Sequence, residues 1–294
     1  MDLGDRILES YVKTINEELE KYFPAGDCDL EKAMNYAFAV GGKRIRPIIV
    51  LATCCALEGD IEKAIPLACA LEMLHTSSLI YDDLPCMDND DMRRGKLANH
   101  KVYGEDITLL AGLGLNARAY TAVTDANHKG LLTDKQAVDA IDILAKASGL
   151  EGIVPGQALD LGNTGCKGLT ETELLKIHSL KTGAIIRAAA LLGCIAAEAS
   201  DDIKEHAAKF AQALGLAFQI KDDILDVTAS PEVLGKTPGK DKGSGKTTFV
   251  DIYGVEKAQE LVVLYTEKAI KELSFIPDSD FLVYLTKRLC NRVM

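Results

Sequence analysis

Two sets of aspartates are the residues of this chain with the type and spacing to do chemistry. The first is Asp82, Asp83, Asp88, Asp90 and Asp91, five carboxylates within ten residues, at the end of an apolar run from Ala64 to Ile80. The second, about 140 residues on, is Asp222, Asp223 and Asp226, again closing an apolar run. Carboxylates sunk in apolar sequence are costly to bury unless something positive sits between them, and hard divalent cations are the natural counter-charge. Asp222 and Asp226 are four residues apart, so on a helix they lie about 40° apart and can reach one ion. Asp223 turns about 100° away and is a weaker ligand candidate. Asp82 and Asp88 are separated by roughly 600° of helical rotation, which would put them on different faces. Pro85 resolves this, because it disfavours helical geometry at Leu84 and forces a break after which Asp88 can swing back. Oxygen-only ligands suit Mg²⁺, which keeps waters and shares its shell with substrate phosphates, whereas zinc would ask for His or Cys. Either set alone reads as a solvated helix end; two of them, each after a run of helix-core length, point to metal.

Basic residues flank both sets. Lys43, Arg44 and Arg46 precede the first; Arg93, Arg94 and Lys96 follow it; Lys181 lies in His178–Gly183; Lys236, Lys240, Lys242 and Lys246 follow the second. Arg offers a planar fork for phosphate oxygens and Lys a point charge. Together they imply two phosphate pockets, one bridged by metals and one held by side chains alone. The stretch Gly239–Thr247 is not a nucleotide loop, since five residues separate its outer glycines where four are required and no strand precedes it.

Helices must position these groups. Apolar residues recur at three- and four-residue steps from Asp5 to Phe23, and a Pro24–Gly26 break follows. Further helices are expected over Leu30–Val40, Ile48–Leu57, Glu62–Asp83, Ile107–Asn127, Asp134–Ser148, Thr170–Glu198, Ile203–Asp226, Val255–Leu273 and Asp280–Val293. Pro47 suits the first turn of its helix, and Thr133 and Ser200 are good N-caps. No alternating run demands a strand and no hairpin signal is visible. The expectation is an all-α, single-domain bundle spanning residues 1–294, with the helices at 62–83 and 203–226 central.

Composition bounds the rest. With 48% hydrophobic residues the chain can build a large core. A net charge of −11 argues against nucleic acid and anionic membranes, though not against an anionic substrate in a locally basic cleft. The acidic start, Met1–Asp5, carries no signal pattern. The most apolar stretch, Ala184–Ala197, carries Arg187 and is too short to cross a bilayer. Eight cysteines without a Cys-x-x-Cys pair read as reduced core residues, so a soluble cytoplasmic protein is expected.

The motifs Gly41–Pro47, Glu72–His75, Asp82–Lys96, Gly156–Asp160, Lys181–Gly183, Gln219–Asp226 and Gly235–Lys246 are long, ordered and specific, and run through nearly the whole chain. In these the sequence resembles the trans-isoprenyl diphosphate synthases, the farnesyl and geranylgeranyl diphosphate synthase family. The resemblance implies a helical homodimer, each subunit built around a central cavity, that condenses isopentenyl diphosphate head-to-tail with an allylic diphosphate. It implies three Mg²⁺ per active site, held through Asp82, Asp88 and Asp222 with Asp83 and Asp226 in support. It further implies that Arg93, Lys181, Thr182, Gln219, Lys236 and Lys246 touch the allylic substrate, and that Lys43, Arg46, His75 and Arg94 hold isopentenyl diphosphate without metal. His75 reads as a phosphate donor, and the released proton goes to the departing diphosphate. Two departures stand out. The family's Ala-Gly-Asp is Ala111-Gly112-Leu113 here, which implies altered local packing or hydrogen bonding and leaves open a non-catalytic, product-tuning subunit. Ser77, where farnesyl-making relatives often carry an aromatic ring, and Ser78 imply a deeper tunnel and a twenty-carbon product. A terpene cyclase would share the first cluster but would not need Lys43, Arg46 and Arg94.

Overall fold

The computed structural model describes residues 2–23, 26–163, 168–228 and 246–290. The order is α1 (Leu3–Tyr22), α2 (Asp29–Ala39), α3 (Ile45–Ala56), α4 (Ile61–Asp82), β1 (Met92–Arg93), β2 (Lys96–Leu97), α5 (Asn99–Tyr103) and α6 (Glu105–His128). There follow α7 (Asp134–Ser148), α8 (Ile153–Gly162), α9 (Glu171–His178), a π-helical turn (Ser179–Gly183), α10 (Ala184–Ala196), α11 (Asp201–Thr228), α12 (Phe249–Leu273) and α13 (Asp280–Cys290). The chain is all-α apart from one two-residue antiparallel ribbon, in which Met92 pairs with Leu97 and Arg93 with Lys96.

The centre is set by α4 and α10, which are apolar on nearly every side. Residues Ala64 to Ser77 of α4 are buried without interruption. α10 packs against α3, α4, α7 and α11 and so joins the two halves that carry the aspartate sets. One continuous hydrophobic core extends from Ile15 and Leu19 of α1 to Leu289 and Cys290 of α13. Local signals place the helix ends: Asp60 accepts the Glu62 N–H at 3.0 Å, and Thr133 with Gln136 and Thr170 with Glu173 form capping boxes.

Four sequence expectations are corrected. The helix expected over Thr170–Glu198 is split by the π-turn. α9, that turn and α10 run on as a 26-residue apolar stretch, Glu171–Ala196, long enough to cross a membrane by length and composition, though most of its apolar part is buried in the core. α8 was not anticipated, because Gly156 and Gly162 dilute its helical signal. The ribbon at 92–97 was also missed; it turns through Arg94 and Gly95, both at positive φ. α12 begins at Phe249, and the expected start at Val255 coincides with a kink at Gly254, whose φ of 75° interrupts the helix.

Candidate active site

α4 stops at Asp82, and the chain then folds back on itself. The Asp88 N–H donates to the Asp82 carbonyl at 2.9 Å, and the Asp90 N–H donates to the Asp83 carbonyl at 3.2 Å. Asp88 thereby returns to the side of Asp82, as the Pro85 break requires. Burial pushes the Asp82 carboxyl up to about 6; Lys181 draws it down, and the Asp88 charge raises it again. Asp222 and Asp226 occupy the last two turns of α11, one helical turn apart. Both sets therefore sit at helix C-termini, where the backbone dipole already concentrates negative charge, by about half an elementary unit. Carboxylates gathered at that end of two helices are stabilised only by cations.

Asp83 and Asp223 are used differently. Asp83 is buried, and the Arg93 guanidinium donates to both its oxygens. Asp223 accepts the Phe249 N–H at 2.9 Å and the Gln219 amide at 3.3 Å, which fixes the start of α12 against α11. Its rotation away from Asp222 gives it this anchoring position.

Beside the first set lies a pair of cations with its own anchor. Asp160 on α8 accepts from Lys181 Nζ at 2.8 Å and from Lys246 Nζ at 3.0 Å, and Lys246 also reaches Asp88 at 3.5 Å. Burial alone would raise the Asp160 carboxyl, but the two ammonium groups outweigh it and hold it below the ordinary range. The Thr182 hydroxyl donates to Gln219 Oε1 at 3.0 Å. Lys181 and Thr182 both sit on the π-turn, which α8 approaches through Gly156; a Cβ there would stand 2.5 Å from the Lys181 nitrogen. Asp160 was quoted within a motif but not singled out as a site residue. Its place four residues after that close-approach glycine was the available signal.

A second basic group is built on α3 and the ribbon. Arg46 donates to His75 Nε2 at 3.1 Å, so the imidazole accepts there and carries its proton on Nδ1. Burial, with Arg46, Arg94, Arg93 and Arg44 nearby, holds His75 well below the ordinary histidine range. Phosphate donation by His75 thus falls to Nδ1–H alone. Burial lowers Arg46 to about 10, Glu72 and Asp222 raise it, and Arg94 lowers it further. Among the described residues neither Arg46 nor Arg94 has a carboxylate within ion-pair distance, and Arg46 Nε is buried without a hydrogen-bond partner. Arg94 is held by the Gly41 carbonyl.

Other candidates separate from the site. Arg44, one of the basic residues expected to form a phosphate pocket, is buried. It pairs with Glu72 at 2.7 Å and also donates to Asn16 and to the Phe38 carbonyl. Lys43 is exposed and Lys96 lies near the Ala39 carbonyl at 3.4 Å. Lys236, with Lys240 and Lys242, lies outside the described residues. Ser77 is buried and Ser78 half-buried, their hydroxyls donating to the Leu74 and His75 carbonyls at 2.8 Å each. Leu113, which stands where the family carries an aspartate, projects from α6 and is 54% exposed.

Among the described residues no three carboxylate, imidazole or thiol groups converge closely enough to hold a metal by themselves. The donor set still fits Mg²⁺, an oxygen-seeking ion that is bound through one or two carboxylates and completed by waters and substrate phosphates.

Residues 28–274 match the polyprenyl synthetase family model. Geranylgeranyl pyrophosphate synthase 4 of Arabidopsis thaliana is 44% identical over 291 residues, covering 96% of this chain and 76% of the relative. A solved apo FPP/GFPP synthase from Zymomonas mobilis superposes with a TM-score of 0.87 at 33% identity, covering 98% of each chain. A geranyltransferase from Helicobacter pylori, solved with magnesium and isoprenyl diphosphate, gives 0.85 at 31% identity, over 99% of this chain and 97% of that one. With a matching family model over most of its length and these relatives, the chain belongs to the polyprenyl synthetase family.

Proposed function

We propose that this chain is a short-chain trans-prenyltransferase, condensing isopentenyl diphosphate with dimethylallyl, geranyl or farnesyl diphosphate to give farnesyl or geranylgeranyl diphosphate. The observation that carries this is the pairing of two unlike anion sites. One lies at the ends of α4 and α11, where Lys246, anchored on Asp160 beside Lys181, reaches Asp88, and Thr182 next to Lys181 bonds Gln219 of α11. The other is the Arg46–His75–Arg94 group, two half-buried guanidinium groups and a neutral imidazole, with no carboxylate within ion-pair distance of either arginine among the described residues.

The allylic diphosphate sits at the first site. Lys181, Lys246, Thr182 and Gln219 hold it, and Asp82, Asp88 and Asp222, supported by Asp83 and Asp226, would hold Mg²⁺, three ions being the number the resemblance implies. When bound, Mg²⁺ supplies positive charge to the leaving diphosphate. Asp160 fixes the two ammonium groups before substrate arrives, so little reorganisation is needed as charge develops. At an effective dielectric near 20, one such contact at 4 Å contributes about 4 kcal/mol. Arg46 and Arg94 orient isopentenyl diphosphate, with neutral His75 holding the Arg46 fork in place. The allylic C–O bond breaks with its electron pair going to the diphosphate oxygen. The isopentenyl double bond supplies the electrons of the new C–C bond, and the proton lost afterwards goes to the released diphosphate.

Small side chains at Ser77 and Ser78 support a twenty-carbon product. Tyr81, one turn nearer the aspartates, has its ring against Gly112 of α6. A homodimer through α6 is supported by the neighbouring exposed side chains of Leu109, Leu110 and Leu113. A cytoplasmic setting is supported by Cys54, Cys69 and Cys194, thiols that fill the core as small apolar groups.

The test is turnover of labelled isopentenyl diphosphate by the purified chain with each allylic primer, with chromatography of the products. Asp82→Ala or Asp222→Ala should lower the rate by about 10²-fold or more with helical content intact. EDTA should abolish turnover and Mg²⁺ restore it. Near-normal rates in either variant, or activity that survives chelation, would refute the ligand assignment.

A further inference from the structure

A groove of about 1030 Å³ opens between α7, α9, α10, α11 and α12. That volume reaches the upper end of the ~300–1,000 Å³ usual for small-molecule sites. Its floor is apolar, with Ile143, Leu175, Leu191 and Leu216 on it and the small residues Gly183 and Ala188 between. Its rim is basic: five Lys and Arg side chains line it against three carboxylates, in a chain whose net charge is −11. Lys146 is paired with Asp142 at 2.7 Å and Lys209 with Glu205 at 2.6 Å. Lys176, Arg187 and Lys268, from three different helices, have no carboxylate within ion-pair distance among the described residues; Lys268 lies over the Tyr265 ring at 4.7 Å. His178 lines the same groove, and its Nε2 is buried with no hydrogen-bond partner.

Unpaired cations around an apolar floor complement an anionic head joined to a long apolar chain. Three cations lining one groove from α9, α10 and α12 match a multiply charged head better than a single carboxylate. We propose that this groove is a second binding site for a prenyl diphosphate, with the head among Lys176, Arg187 and Lys268 and the chain along Leu175, Leu191 and Leu216. The ligand's identity rests on the function proposed above. Ser179 and Gly183 of the π-turn line the groove, while Lys181 and Thr182 of the same turn bond Asp160 and Gln219. A π-turn carries one residue more than a regular helical turn and is frequent at functional sites, and an occupant of the groove that favours another setting of this one shifts Lys181 and slows turnover.

The chain contains no Trp, so Leu191→Trp, or Leu175→Trp should the first fold poorly, gives a single fluorescent reporter in the groove. Geranylgeranyl diphosphate titrated in EDTA should change its emission saturably. The midpoint should rise about tenfold, or ~1.4 kcal/mol, in Arg187→Glu or Lys268→Glu, and should be unmoved in Asp82→Ala. Arg187→Glu should keep the basal rate and lose inhibition by added geranylgeranyl diphosphate. Silence from both reporters overturns the proposal. So does a response that survives Arg187→Glu but disappears in Asp82→Ala, which would put the ligand among the aspartates. An equal response to palmitate overturns the diphosphate assignment. Because this binding needs no turnover, absence of prenyl transfer would count against the proposed function and not against the groove.

Discussion

His178 and His75 are buried imidazoles beside cations, and their protonation is a stability term. Burial and Lys181 lower His178 to about 4, against the pull of Asp160, and burial with four arginines holds His75 well below the ordinary histidine range. In the unfolded chain both would titrate near 6.5. The unfolded state therefore binds protons first, so this contribution is complete above about 6.5 and is lost as pH falls toward 4. Each such histidine costs up to ~1.4 kcal/mol per pH unit in that window. Urea midpoints should fall between pH 7 and 5, and His178→Phe, which keeps the stack on Phe249, should lose less over that interval. An unchanged slope would show that His178 is not the group concerned. At the same scale, Ser77→Tyr should shorten the product by one isoprene unit, read by chromatography. An unchanged chain length would locate the tunnel floor on another helix.

At the level of elements, the turn before α3 is held by a contact that has no part in catalysis. Arg44 sits at φ 49°, pairs with Glu72 of α4 and reaches Asn16 of α1, so one guanidinium ties three helices and leaves Arg46 two residues on to face His75. Breaking a buried pair strands the other charge, so Glu72→Ala should destabilise the fold by about 3–5 kcal/mol in urea unfolding. The double variant Arg44→Met/Glu72→Leu should be less damaging than the single one, because no charge is left behind. If the single substitution costs under about 1 kcal/mol, the pair is a marginal contact and another interaction places Arg46. Asp223 shows the same division of labour on α11: one aspartate of the cluster anchors α12 so that its neighbours can face the substrate.

For the molecule as a whole, the exposed leucines of α6 are the clearest feature. Leu109, Leu110 and Leu113 share one face with 46, 50 and 54% of their surface exposed. Where the family carries an acidic residue, Leu113 makes this stripe more apolar, which favours burial against a second copy. Leu110→Glu with Leu113→Glu should convert a dimer to a monomer in sedimentation velocity while leaving circular dichroism unchanged; a dimer that persists would place the interface elsewhere.

The sequence by itself determined the helical class, the two aspartate sets and the break at Pro85, because periodicity, local charge and proline geometry are written within a few neighbouring residues. It also carried the family motifs, and with them most of the basic residues now found near the aspartates. Tertiary structure decided which of those charges are free to meet a substrate. Arg44 and Asp223 look like their neighbours in the sequence, yet one is committed to Glu72 and the other to Phe249, partners 28 and 26 residues away. Asp160 gained its importance in the opposite way, through two lysines that only the packing of α8 on the π-turn brings within 3.0 Å. Side-chain chemistry is local, but the pairing of charges depends on which helices touch, and that is fixed by burial across the whole core.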